Sequence, residues 1–427
     1  MFLDVLYRFS TQFGVSALNF VTAIIVARYL GPAGKGTFVI ITLTAGIMVT
    51  FGNLGLGQAL LYSRAKKNYT SRELWTFSLL FALGWGCLLA AIAGGVLWFG
   101  APVILKIKMN SLLVMGICAI PALLWIEFNR TYLMGGHQFH LYNLVDGVRA
   151  VSWFALAWIF LVTFENRLRA AVAAWLIAVS LTGLVQLVLT WNPGRLQGKK
   201  AVAMGKDLFG YGLKTYVTTL LQFFNYRLDA FILNYFSTSA VVGIYSVAVA
   251  LAETVWQLCN AVASIVFPKV SAMTHEQANR LTPITSRLTL TISFLMAVFL
   301  AAVCPWVIPR LYGEAFAPAV VPLWWLLPGV VTFGLVKILY GDLAGRGFPG
   351  IGGWVTGTAL ILTLLFDFTM IPLWRATGAA VASSISYTAA AGLCTFYFMK
   401  ITGIPAKEVW FLKMSDIRLL KKRGGLS

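Results

Sequence analysis

LTLTISFLMAVFLAAVCPWVI, residues 288–308, runs for 21 positions without a charged side chain. An α-helix rises about 1.5 Å per residue, and about 20 apolar residues cover the ~30 Å hydrocarbon core of a bilayer. The run is therefore read as a membrane-crossing helix. A transmembrane β-strand would alternate apolar and polar positions over about ten residues, and this run is continuous.

Comparable segments recur on both sides of it, at residues 9–28, 37–62, 74–99, 111–133, 144–164, 170–191, 212–235, 240–266, 320–340, 351–371 and 377–399. With 288–308 they predict an all-α polytopic membrane protein of about twelve transmembrane helices. The composition agrees, because 59% of the 427 residues are hydrophobic and 11% are charged, whereas soluble domains carry about 25% charged residues. No stretch remains for a separate water-soluble fold, so one membrane-embedded body is expected. The first apolar run lacks a small-x-small cleavage site before Arg28 and is expected to stay as the first span. Cys87, Cys118, Cys259, Cys304 and Cys394 all fall inside apolar runs, are odd in number and lack metal-ligand spacing, so they are read as small core residues.

The formal charge of +19, from 33 basic and 14 acidic residues, would suggest nucleic acid as a partner for a soluble protein. Here it is assigned to topology and anionic lipid, with no nucleic-acid partner. With a cytoplasmic N-terminus, 23 basic residues fall in inner segments and 8 in outer ones, which predicts both termini inside. The segment WNPGRLQGKKAVAMGKD after the sixth span combines Pro, Gly and basic residues and divides the spans into two sets of six. The expected organisation is a six-helix bundle over 1–191, a cytoplasmic linker over 192–211, a second bundle over 212–399, and a cytoplasmic basic tail over 400–427.

The halves look duplicated. At an offset of 206, Arg8, Gln12, Ser16, Asn19, Phe20 and Tyr29 fall on Lys214, Thr218, Gln222, Asn225, Tyr226 and Tyr235. Six spans per half keep the repeats in one orientation, which predicts pseudo-two-fold symmetry about the membrane normal and a central cavity.

Gln12, Ser16 and Asn19 lie on one face of the first span, and Thr215, Thr218, Gln222, Asn225 and Asp229 on one face of the seventh. Such stripes turn from acyl chains toward protein or water, so they serve either interhelical hydrogen bonding or cavity lining. Ionisable residues within spans are Glu127, Arg130, Asp146, Arg149, Arg227, Asp229, Glu253, Lys337 and Asp367. Most lie near span ends, where side chains can snorkel; Glu127 with Arg130 and Asp146 with Arg149 can pair locally. Glu253 sits mid-span with no cation three or four residues away, so it requires a partner, water or a proton. Arg227 is turned about 140° from its stripe at 100° per residue, toward another helix.

Glycines in FGNLGLGQ (52–58) and GRGFPGIGG (345–353) allow close helix approach or hinge motion. GPAGKG (31–36) follows no strand and has no Ser or Thr after its lysine, so it is a turn and not a phosphate loop. His137, His140 and His275 fall in predicted loops and suggest no metal site. In the tail, Val409, Trp410, Leu412, Ile417 and Leu420 lie near one face and Lys413, Lys421, Lys422 and Arg423 elsewhere, the pattern of an interfacial helix on anionic lipid.

VARYLGPAGKGTF (26–38), FGNLGLGQALLYSRA in the second span, AVVGIYSVA (240–248), FPKVSA (267–272) and TGAAVASSIS (377–386) occur in an order and spacing that resemble bacterial polysaccharide and oligosaccharide-lipid flippases. These belong to the multidrug/oligosaccharidyl-lipid/polysaccharide exporter superfamily. The resemblance implies two six-helix bundles around a V-shaped cavity, alternating access, and movement of an undecaprenyl-diphosphate-linked glycan from the cytoplasmic to the outer leaflet of the bacterial inner membrane. Polysaccharide polymerase and glycosyltransferase proteins are the expected protein partners, and membrane lipids the surroundings.

A diphosphate bearing sugars needs a wet, cation-bearing passage. The candidates for its cationic part are Arg28, Arg130, Arg149, Arg227 and Lys337; Gln12, Ser16, Asn19, Gln222 and Asn225 are placed to meet sugar, and Asp229 and Glu253 to couple an ion. No cofactor and no catalytic residue is expected. A multidrug or metabolite cation antiporter would share the architecture but favour an acidic cavity. A membrane glycan polymerase or ligase would show a large outer loop, and the longest here spans only about 309–319.

Overall fold

The protein is described by a computed structural model covering residues 2–104, 110–196, 198–413 and 416, with side chains placed except at 2–13, 101, 103, 104, 215 and 268. Among the described residues there are thirteen α-helices, one 3-10 turn and no strand. The helices are α1 (Phe2–Asn53), α2 (Leu56–Ala65), α3 (Ser71–Ile104), α4 (Ser111–Cys118), α5 (Ile120–Gly135), α6 (Phe139–Thr163) and α7 (Arg167–Leu189). They continue as α8 (Gly198–Phe236), α9 (Ser239–Ser271), α10 (His275–Tyr312), α11 (Val320–Gly345), α12 (Gly350–Thr402) and α13 (Lys407–Trp410). Helices close every backbone hydrogen bond within one segment, which is what a chain without water partners requires.

Nine helical segments among the described residues are long and apolar enough to cross a bilayer. Two are much longer than one crossing. The segment Gly14–Asn53 has 40 residues and Gly350–Thr402 has 53, about 60 and 80 Å of helix against a ~30 Å core. Both are broken. In α1 the helix breaks at Gly31 (φ 63°, ψ 178°), followed by Pro32; positive φ suits glycine, and proline starts the next helix without losing a needed N–H. The turn expected over GPAGKG is thus confined to Gly31, and Pro32–Gly36 are helical. In α12 the break falls at Arg375 (φ 50°, ψ −124°), three residues after Pro372.

A third interruption was not visible in the apolar pattern. The span expected over 37–62 stops at Asn53, turns through Leu54 (φ 49°) and Gly55 (φ 75°), and resumes as α2. A Cβ on Gly55 would lie 2.0 Å from the Gly212 carbonyl oxygen, so the FGNLGLGQ glycine serves both a turn and a close approach.

The chain divides into two compact units, Met1–Phe223 with Thr238–Gly243, and Phe224–Ser237 with Ile244–Ser427. In the first, α1 packs on α6 and α7, and α3 on α5. Buried Trp75 donates to Thr190 Oγ1 (3.1 Å), which also accepts from Asn129 Nδ2 (2.9 Å). Of the expected linker 192–211, residues 198–211 are helical, and Lys200 is ion-paired with Glu73 at 2.5 Å.

In the second unit α11 packs between α10 and α12 and is the most enclosed of the nine segments. Arg287 of α10 binds Asp416 through Nε (2.7 Å) and Nη2 (2.9 Å) and also reaches the Glu408 backbone carbonyl. The tail is accordingly held by a buried guanidinium, and its described helix is only Lys407–Trp410; Leu412 and Lys413 are not helical. Ile417, Leu420, Lys421, Lys422 and Arg423 lie outside the described residues.

The outer surface is apolar. Trp98, Trp191, Trp306 and Trp354 are exposed near helix ends, where indoles sit at a membrane interface. Cys87 and Cys118 are also exposed, against the expectation that all five cysteines are core residues; a small apolar side chain is equally at home facing acyl chains.

Candidate functional site

The second unit brings five of the predicted site residues together at membrane depth. Arg227 of α8 and Glu253 of α9 form a two-pronged ion pair, Nη1 to Oε1 at 2.9 Å and Nη2 to Oε2 at 3.4 Å. Each side chain is about one-third exposed, 35% and 30%. The partner that Glu253 needs is therefore a residue 26 positions earlier, and Arg227 faces a neighbouring helix as its angular position requires. Two residues further along α8, on another face, Asp229 Oδ2 accepts from the Tyr245 hydroxyl at 2.5 Å and its Oδ1 from the Ala230 N–H. The Arg227–Glu253 pair and the Tyr245–Asp229 hydrogen bond brace α8 against α9.

Asn225, one turn before Asp229, is buried; its Oδ1 accepts from Thr363 Oγ1 at 3.2 Å. Thr363 and Asp367 repeat this i, i+4 spacing on α12. Asp367 is 0% exposed, so it has no route to snorkel to an interface as its sequence position suggested. Neither of its carboxylate oxygens has a hydrogen-bond partner among the described residues, although it is within electrostatic reach of Asp229. A bare carboxylate in that position is costly, which calls for a proton or a bound cation. Beside it, Asp229, Tyr245, Glu253, Trp256, Ser383 and Tyr387 line a small cavity with room for about one water molecule. Asp367, Thr363 and Ser383 are additions to the predicted site.

Lys337 of α11 donates to Asn260 Oδ1 at 2.8 Å and lies 4.4 Å above the Trp256 ring and 5.8 Å from that of Tyr226. Trp256, Tyr226, Phe333 and Tyr387 form one aromatic cluster, with ring centroids 4.8–5.9 Å apart. The Trp256 indole N–H is fixed on the Val330 carbonyl at 2.9 Å.

The first unit holds the other candidates. Arg130 donates to the Tyr142 hydroxyl at 2.5 Å and meets Asp146 at 3.4 Å, across from α5 to α6. Its local contact with Glu127 is longer, 4.0 Å. Arg149 shares the electrostatic environment of Arg130, Asp146 and Glu127, so two arginines face two carboxylates. Along α1, Ser16 is half-buried while Asn19 and Arg28 are exposed. Gln222 on α8 is exposed. The side chains of Gln12 and Thr215 lie outside those described.

An all-helical fold with interrupted membrane-length helices and a polar, charged cluster within one unit defines a membrane transporter architecture. The same fold occurs in the lipid II flippase MurJ in its inward closed conformation, with a TM-score of 0.77 over 99% of this chain and 93% of that one at 12% identity. It also occurs in an inward-facing multidrug-resistance MATE transporter of the MOP superfamily, with a TM-score of 0.68 over 91% and 94% of the two chains at 14% identity. Residues 25–321 match the family described as polysaccharide biosynthesis protein, and the chain belongs to that family. The "Probable low-salt glycan biosynthesis flippase Agl15" of Haloferax volcanii is 24% identical over 232 residues; the match covers 52% of this chain and 49% of that protein. The match thus spans about half the length of that curated relative.

Proposed function

We propose that this protein flips an undecaprenyl-diphosphate-linked oligosaccharide from the cytoplasmic to the outer leaflet by alternating access, for surface polysaccharide export. It acts as a transporter and not as an enzyme. The observation that carries the reading is the polar, cation-bearing cluster at membrane depth around Arg227, Lys337 and the Trp256 platform, in a chain of the polysaccharide biosynthesis family. Intramembrane charges are costly and mark transport paths, and a sugar diphosphate needs such a path.

The helix breaks at Gly31 and Arg375 support a reading of twelve crossings. Each splits one long segment into two, and α8, whose polar stripe lowers its hydropathy, supplies the remaining span. The basic-residue asymmetry supports cytoplasmic termini, and the reading sets the protein in an inner membrane. Reporter fusions at Gly198 and Ser427 are expected to report the cytoplasm. We assign ion coupling to Asp229 together with Asp367, and treat Glu253 as the counter-ion of Arg227.

The buried carboxylates also favour a second reading, a cation antiporter of the same fold, because a cationic cargo could use them. Deletion of the gene separates the two. Lipid-linked oligosaccharide should accumulate on the cytoplasmic leaflet and surface polysaccharide should fall, as measured by mass spectrometry with a leaflet-accessibility assay. Unchanged glycans with raised drug sensitivity would favour the antiporter, and fully exported polysaccharide with no redundant exporter would refute the flippase.

A further inference from the structure

On α9, Glu253, Gln257, Asn260 and Ser264 are spaced four, three and four residues apart, which places them on one helical face. Gln257, Asn260 and Ser264 are exposed, whereas Ala252, Val255, Trp256 and Cys259 between them are buried. Ser264 satisfies its hydroxyl on its own helix, at the Ala261 carbonyl (2.8 Å). The amide of Gln257 and the amide nitrogen of Asn260 have no protein partner among the described residues. Exposed amides at this depth are expensive against acyl chains, so this face of the second unit is a wet one.

Lys337 stands at the edge of that face, outside the ion pairs of the unit. Arg227 is paired with Glu253, Arg287 with Asp416, and Arg346 with Asp342 at 2.6 Å. No carboxylate lies within ion-pair distance of Lys337 among the described residues. Its ammonium is instead positioned by one amide oxygen and by the face of a tryptophan that is itself pinned by a hydrogen bond. Cation–π contact orients a cation without cancelling its charge. A half-buried ammonium held ready in this way, with a vacant donor and unpartnered amides beside it, fits an anion that comes and goes.

We propose that Lys337, Asn260 and Gln257 form the subsite that takes the diphosphate of the lipid-linked glycan, with the ammonium on a phosphate oxygen and the amides on the remaining oxygens or the first sugar. The subsite assignment rests on the lipid-linked diphosphate reading above. Of the two predicted cations in the second unit it selects Lys337, because Arg227 is already paired with Glu253.

The test uses the full-length protein in detergent, with geranylgeranyl diphosphate and geranylgeraniol as probes and native mass spectrometry as the readout. Wild type is expected to prefer the diphosphate. Lys337→Gln should lose about tenfold or more of the diphosphate affinity, the scale of one charge-assisted hydrogen bond, and leave the alcohol unaffected; Lys337→Arg should stay within a few-fold. Retained diphosphate preference in Lys337→Gln overturns the subsite and leaves the flippase reading standing. Absence of any diphosphate preference in wild type removes that reading, and the subsite with it. Should Lys337→Gln not accumulate, Asn260→Ala at an exposed position carries the test: several-fold weaker diphosphate binding supports the subsite, and affinity within twofold of wild type overturns it.

Discussion

Replacing Arg227 by Met strands Glu253, and the size of the effect follows from how much water the pair keeps. A fully exposed pair is worth about 0–1 kcal/mol, while removing one partner of a fully buried pair costs about 3–5 kcal/mol. At 35% and 30% exposure with two-pronged geometry, this pair falls between those limits, so Arg227→Met should destabilise by about 2 kcal/mol. Glu253→Met should cost about the same, since it strands the guanidinium. The double variant Arg227→Met/Glu253→Met leaves no stranded charge and should lie within about 1 kcal/mol of wild type. Unfolding of all four proteins in mixed detergent micelles gives the cycle. Additive losses, with the double variant near 4 kcal/mol below wild type, would show that the two residues do not act as a pair and refute the reasoning.

Asp367→Asn should keep or slightly raise stability, because it removes a carboxylate with no protein partner, yet abolish export; normal export at normal expression would remove Asp367 from the coupling assignment. Outside the membrane, hydrogen bonds from Arg287 hold the Asp416 carboxyl below the usual range, and Lys413 does so for Glu408. A depressed carboxylate stabilises above its unfolded pKa of about 4 and loses that contribution as pH falls through its folded value, so proteolysis after Phe411 should be slow at pH 7 and accelerate well below pH 4. Asp416→Asn should bring that cleavage to pH 7. Arg375 occupies a backbone region that costs a non-glycine residue about 1–3 kcal/mol, so Arg375→Gly should raise thermal stability by about 1 kcal/mol after its extra unfolded-state entropy.

The spans were legible because lipid demands long uninterrupted apolar helices, and the break in GPAGKG was legible because Gly and Pro punctuate any helix, although it is one residue, Gly31, and not a six-residue turn. The interruption at Leu54–Gly55 was not, since its residues are as apolar as the helix around them. Angular position alone turned Arg227 away from its stripe, and the absence of a nearby cation showed that Glu253 needed a partner; that each is the other's partner depends on how α8 and α9 pack. Asp367 illustrates the opposite case. Closeness to a span end suggested snorkelling, but burial is decided by neighbouring helices that one sequence does not display. The spacing 253, 257, 260 and 264 is present in the sequence, but Gln, Asn and Ser in an apolar helix read equally well as interhelical bonds until the outward face is known.

Charge balance then separates scaffold from site. Arg227 with Glu253, Arg287 with Asp416, Arg346 with Asp342, and Arg130 with Glu127 and Asp146 each pair within 4 Å. Buried pairs of this kind are weak sources of stability but fix register, which is the service they give here. Of the ionisable residues predicted within spans, the second unit is left with Lys337 beside a wet face and with Asp229 and Asp367 in the protein interior, 6% and 0% exposed. Opposite residual charges with opposite access suit two different ligands. The half-buried cation can still meet a large anion, whereas the two buried carboxylates, Asp229 beside a cavity the size of one water, admit only a proton or a small ion. A bulky organic cation could not reach Asp229 or Asp367, and that burial weighs against the antiporter reading.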